Sequence, residues 1–162
     1  MSLLLIALYL SAIVAANLLV VWFGPAISIL NAFLFIGLDI TTRDYLHEIW
    51  RKNLYLKMLA LIASGSVISY LLNYNAGPIA LASFVSFLVA GLVDFAVYQI
   101  LRDKSRKLKV NGSNVLSSAV DSITFPLIAF GWPPMLGIMA GQFVAKVAGG
   151  FVWWIVLERM RK

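Results

Sequence analysis

The residues between 114 and 125 hold the densest chemistry in this chain. Asn114, Ser117, Ser118, Asp121, Ser122 and Phe125 stand at offsets of 0, 3, 4, 7, 8 and 11, the spacing that sets side chains on one face of an α-helix. A carboxylate flanked by an amide and three hydroxyls offers more hydrogen-bonding capacity than helix packing requires. That face cannot look at lipid, and we read it as functional.

Three further rows repeat the pattern more sparsely. Ser83, Phe87, Gly91, Asp94, Tyr98 and Arg102 follow one helical stripe, with Asp94 and Tyr98 one turn apart. Asp39, Arg43 and His47 step by four, and Asp44 and Glu48 form a second acidic row beside them. Gln142 and Lys146 are one turn apart in an otherwise apolar, glycine-rich run. The counter-ion of Lys146 is expected to be Asp121 or Asp94, because an unpaired buried ammonium tends to lose its proton. That pair either fixes two helices in register or has a coupling role. Asn17 and Asn31 read as glue between helices. Asp39, Arg43 and Glu48 fit an interfacial salt-bridge set as well as a binding role.

These groups sit in an apolar chain. Of 162 residues, 62% are hydrophobic and only 12% are Asp, Glu, Lys or Arg, about half the charged share of a soluble domain. Too little polar surface exists to cover a soluble globule, so the bilayer must solvate much of the protein. With no cysteine and one histidine, neither a disulfide framework nor a metal-ligand set is available, and no cofactor is expected. The net charge of +6 lies in short segments between apolar runs, which suits membrane topology and not nucleic acid.

The elements that position these residues are six expected membrane helices in one all-α domain, at about 3–22, 25–47, 54–72, 78–101, 113–131 and 135–157, each long enough for roughly 30 Å of hydrocarbon. The first lacks a basic leader and is read as a retained helix, not a signal peptide. Gly24-Pro25, the stretch from Asn73 to Pro78, and Gly131-Trp132-Pro133-Pro134 are turn chemistry, with proline opening the next helix. The remaining breaks are basic: Arg51, Lys52 and Lys57; then Arg102 to Lys109; then Arg159, Arg161 and Lys162. By the positive-inside rule this pattern predicts both termini in the cytoplasm and an even number of spans. Trp22, Trp50, Tyr74 and Trp132 fall at helix ends, where amphipathic rings prefer the headgroup layer.

The run from Leu92 to Tyr98, a basic loop, and the run from Gly112 to Phe125 resemble the queuosine-precursor transporter family, also called the vitamin uptake transporters. Arg43-Asp44 with Glu48, and Gly141-Gln142 with Lys146, resemble further family positions, and the likeness spans most of the chain. The resemblance implies a fold like that of the substrate-binding S-components of energy-coupling-factor transporters. It also implies uptake of 7-cyano-7-deazaguanine or a related 7-deazapurine across the inner membrane. For such a ring, Asp121 or Glu48 would accept from the N1 and 2-amino donors. Asn114 or Gln142 would donate to the carbonyl, and Phe87, Tyr98 or Phe125 would stack on the ring.

Three other readings are weighed beside it. A binding subunit that works only with an ATP-driven complex would use a small-residue patch such as Ala12 and Ala16 for close contact with its partner. A membrane enzyme is not expected, since no metal-spaced histidine pair, phosphate loop or nucleophile elbow appears. A purely structural scaffold leaves the polar stripe unexplained.

Overall fold

A computed structural model describes residues 2–50 and 53–160, without the side chains of Ser2, Asp44, His47, Glu48, Leu54, Tyr98, Arg106, Lys107, Lys109, Val110, Asn111, Glu158 and Met160. The expectations placed on the side chains of Asp44, Glu48, Tyr98 and His47 therefore lie outside the described residues.

Among the described residues the chain forms six helices joined by short connections and one single-turn 3₁₀ segment, Tyr74–Ala76. Helix α1 spans Ser2–Phe23 and stops at Gly24, whose φ of +78° a side chain would resist. Helix α2 covers 27–49 in three parts: an α-helical Ile27–Asn31, a π-helical Ala32–Ile36 and an α-helical Gly37–Ile49. Helix α3 is Leu54–Leu72, preceded by Asn53 in the left-handed region. Helix α4 is Gly77–Ile100, opened by Pro78 in its first turn, where a missing N–H costs nothing. Helix α5 is Arg106–Phe130 and helix α6 is Leu136–Met160. Connections this short make successive helices antiparallel, so the Gly24, Asn73 and Gly131 turns share one end of the bundle and the start of α1 and the end of α6 share the other.

Five helices are long and apolar enough to cross a membrane: Leu3–Phe23, Tyr55–Leu72, Tyr74–Val97, Gly112–Phe130 and Leu136–Leu157. Helix α2 does not meet that measure, against the expectation of six such spans. Its π segment divides it, and its second part holds five ionisable residues, Asp39, Arg43, Asp44, His47 and Glu48. Two other expectations shift for local reasons. Helix α5 begins at Arg106 and not near 113, because Ser105 accepts from the Leu108 amide at 3.4 Å and starts the helix inside the basic stretch. Arg102 leaves the α4 stripe, since the helix ends at Ile100 and the guanidinium pairs on the surface with Asp103 at 3.6 Å.

Packing follows small residues and one aromatic. Leu5, Tyr9, Ile13, Leu46, Met58, Leu61 and Ile62 form the buried apolar cluster where α1, α2 and α3 meet, with Phe84 and Phe87 of α4 against it. Ala12 and Ala16 are buried at 2% and 6% exposure. They face the interior, so here the small residues serve packing between this chain's own helices. The outer face is Leu, Phe, Val and Trp, and Trp22, Tyr74 and Trp132 are among the most exposed large side chains, as the headgroup layer favours.

Candidate functional site

Helix α5 turns its polar stripe inward. Ser117, Ser118, Asp121 and Ser122 are all buried, and Asn114 and Phe125 at the ends of the stripe are half-buried. Asp121 meets Lys146 of α6: Nζ lies 2.7 Å from Oδ2, with both side chains almost fully covered. Lys146 is ten residues from the start of α6 and Asp121 nine from the end of α5. At 1.5 Å per residue, both sit about 14–15 Å from the Gly131 end. The ion pair thus occupies mid-depth, where desolvation makes an unpaired charge most costly.

A chain of hydrogen bonds leads from this pair toward the Gly24 end. Lys146 Nζ also donates to Gln142 Oε1 at 3.2 Å, Gln142 Nε2 donates to Ser28 Oγ at 2.8 Å, and Ser28 Oγ donates to the Pro25 carbonyl at 2.5 Å. Three helices, α2, α5 and α6, are therefore joined through four side chains. Gln142 is in place because helical spacing stacks it one turn below Lys146. Ser28 is in place because Pro25 starts α2 within reach of it.

Toward the other end, Tyr9 of α1 hydrogen-bonds Asp39 of α2 and lies within electrostatic range of Arg43 and Asp121. Arg43 Nη2 donates to Asn114 Oδ1 at 3.4 Å, tying α2 to the start of the α5 stripe. Asp39 and Tyr9 are 2% and 1% exposed. Asp39, Arg43 and Asp121 thus all lie within electrostatic range of one buried phenol.

Several buried polar atoms here have no partner among the described residues: Asp121 Oδ1, Ser122 Oγ and Thr42 Oγ1. Pro126 adds a fourth group, because it lacks the amide that would bond the Ser122 carbonyl one turn back. Leaving such groups unsatisfied costs about 1–3 kcal/mol each, a cost a solute with matching donors and acceptors would offset.

The other sequence-derived candidates scatter. Asp94 faces Tyr55 of α3, within electrostatic range of its hydroxyl, while Lys146 meets Asp121. Phe87 packs on the Tyr9 cluster, and Phe125 stands edge-on to Phe130 at 5.8 Å between centroids. Ser117 turns back to the Asn114 carbonyl at 3.2 Å. Asn17 and Asn31 bond between helices: Asn17 donates to Ser69 at 3.0 Å and accepts from Ser83 at 2.5 Å, and Asn31 donates to the Ala16 carbonyl at 2.9 Å. Among the described residues no three His, Asp or Glu gather to hold a metal ion. A shallow apolar groove on α1 and α3, lined by Leu10, Val14, Leu18, Trp22 and Ile68, opens on the outer surface away from these groups.

Sequence reasoning missed Tyr9, Ser28 and Thr42. A tyrosine inside an apolar run carries no signal that separates a site residue from a core one, and a serine after a proline reads as helix-start chemistry.

A family model described as "Putative vitamin uptake transporter" matches residues 4–157. No curated protein and no solved structure matches the chain.

Proposed function

From the premise that the chain belongs to the vitamin uptake transporter family and is a multi-pass membrane protein, we propose that it imports a queuosine precursor, 7-cyano-7-deazaguanine or a related 7-deazapurine. The observation that carries this reading is the unpartnered Asp121 Oδ1, buried at mid-depth beside Lys146, with Ser122 Oγ next to it in sequence. A 7-deazaguanine presents N–H donors at N1 and the 2-amino group, which a desolvated carboxylate answers. Wrong ligands would leave the same atoms unpaired.

In this reading Asp121, Asn114, Ser118, Ser122 and Gln142 supply polar contacts, Phe87, Tyr98 or Phe125 supplies a stacking face, and Arg43, Asp44 and Glu48 border the site. Helix α2 acts as the sixth crossing: 27–49 holds 23 residues, or about 34 Å at 1.5 Å per residue. The six helices then resemble the S-components of energy-coupling-factor transporters, with both termini in the cytoplasm and the protein in the inner membrane. Uptake needs the occluded ion pair to open to each side in turn, by helix groups rocking around a fixed site.

Purified protein in nanodiscs is expected to bind 7-cyano-7-deazaguanine, and Asp121→Asn to weaken binding by at least about tenfold, as expected for a lost charge-assisted hydrogen bond. Absence of binding would remove the substrate, and unchanged affinity would remove Asp121. Uptake by proteoliposomes holding this chain alone separates a self-sufficient carrier from a binding subunit of an ATP-driven complex.

A further inference from the structure

The ion pair itself leaves one donor on Lys146 and one acceptor on Asp121 unspent. Of the three Lys146 N–H groups, one goes to Asp121 Oδ2 and one to Gln142 Oε1. Among the described residues the third has no acceptor. Asp121 Oδ2 is taken by the ammonium and Oδ1 is not. The spare N–H and the spare oxygen belong to two groups in direct contact.

Lys146 is the donor in direct contact with Asp121, whereas neither neighbouring amide is bonded to it. Gln142 is held at both ends, accepting from Lys146 and donating to Ser28, and the Asn114 oxygen is engaged by Arg43. Nothing fixes either amide toward Asp121 Oδ1.

We propose that Lys146 determines specificity: with Asp121 it reads a lactam edge, an N–H beside a C=O, the carbonyl accepting the third Lys146 N–H while the ring N–H donates to Asp121 Oδ1. The proposal deepens the 7-deazapurine reading above and rests on it. The contact closes a ring of hydrogen bonds without breaking the ion pair, so the solute binds while both charges stay compensated. The same geometry rejects the amidine edge of an adenine-type ring twice over. Its exocyclic amine sets a donor against the ammonium, and its unprotonated ring nitrogen sets an acceptor against the carboxylate. Specificity of this kind comes from repulsion as much as attraction.

The test compares 7-cyano-7-deazaguanine with its 2,6-diamino counterpart, which differs only along that edge, on the full-length protein in nanodiscs. Wild type is expected to prefer the lactam by about 100-fold or more, as sites built around a hydrogen bond do. Lys146→Gln, whose amide either donates or accepts, is expected to weaken the lactam and bring the two ligands within about tenfold. A wild type that binds both equally overturns the Lys146 assignment while leaving the substrate class standing. So does Lys146→Gln with the full wild-type preference. Binding of neither ligand overturns both. Should Lys146→Gln fail to fold, infrared difference spectra of ¹⁸O-labelled ligand on the wild type decide. A carbonyl stretch below its value in water is expected, and one at or above that value refutes the contact.

Discussion

Gly37 and Gly149 meet backbone to backbone where α2 crosses α6, and a Cβ at Gly37 would lie 2.6 Å from the Gly149 carbonyl carbon. A Cβ at Gly149 would strike the Phe33 carbonyl oxygen, inside the π segment. Thr41 bridges the same contact, its hydroxyl donating to Gly37 and Gly150 carbonyls at 2.9 and 3.2 Å. Glycines let helices approach this closely where lipid gives no hydrophobic drive to associate. The contact fixes the register of α2 against α6, the two helices that carry Asp39 and Lys146.

Gly149→Ala is therefore expected to destabilise the protein by about 2–3 kcal/mol or more, since backbone and not a flexible side chain must move. Gly150→Ala, with nothing near its Cβ, is the matched control and is expected to be near neutral. Unfolding in mixed micelles measures both. Equal effects at the two positions would refute the close contact.

The buried ion pair gives a second prediction. Lys146→Met leaves the Asp121 carboxylate uncompensated and is expected to cost about 3–5 kcal/mol, as is Asp121→Leu. The double variant removes both charges and is expected to recover most of that loss. A double-mutant cycle of unfolding free energies reads the coupling directly. Additive losses would show that the two residues do not stabilise each other.

Asn17 is the node of a separate polar cluster linking α1 to Ser69 of α3 and Ser83 of α4. Asn17→Leu removes two interhelical hydrogen bonds, each worth about 0.6 kcal/mol and at most about 1.7 in membrane proteins. A loss of about 1–2 kcal/mol with unchanged solute affinity is expected from calorimetric titration of the same preparation. A change in affinity would move Asn17 into the site.

How much of this was legible in the sequence differs residue by residue. The α5 stripe was, because polar groups at helical spacing contrast with the apolar run around them. The partner of Lys146 was narrowed to two carboxylates, and only packing brings Asp121 and not Asp94 to it. The inner face of α1 was not legible: lipid and core are equally apolar, so an all-apolar helix carries no mark of it. Ala12 and Ala16 therefore suit a partner contact or ordinary helix packing equally, and Tyr9 carries no signal. The π segment lies at the glycine contact with α6, which joins residues more than a hundred positions apart, and no local pattern announces it.

Orientation supplies the last prediction. Lys57, Arg102, Lys104 and Arg159 all lie at the end of the bundle that holds the start of α1 and the end of α6, as do the basic residues 106, 107 and 109 at the start of α5. The turns at Gly24, Asn73 and Gly131 carry no Lys or Arg. Short connections of this kind set topology through that asymmetry, and it holds only if α2 crosses the bilayer as the other helices do. A C-terminal fluorescent-protein fusion is expected to be bright and a C-terminal alkaline phosphatase fusion inactive, with the reverse for fusions ending at residue 75. If the residue-75 fusion reports the same side as one ending at residue 104, α4 does not separate them. If it reports the same side as one ending at residue 24 while the N-terminus lies opposite, an even number of crossings, α2 and α3 both included, stands between them.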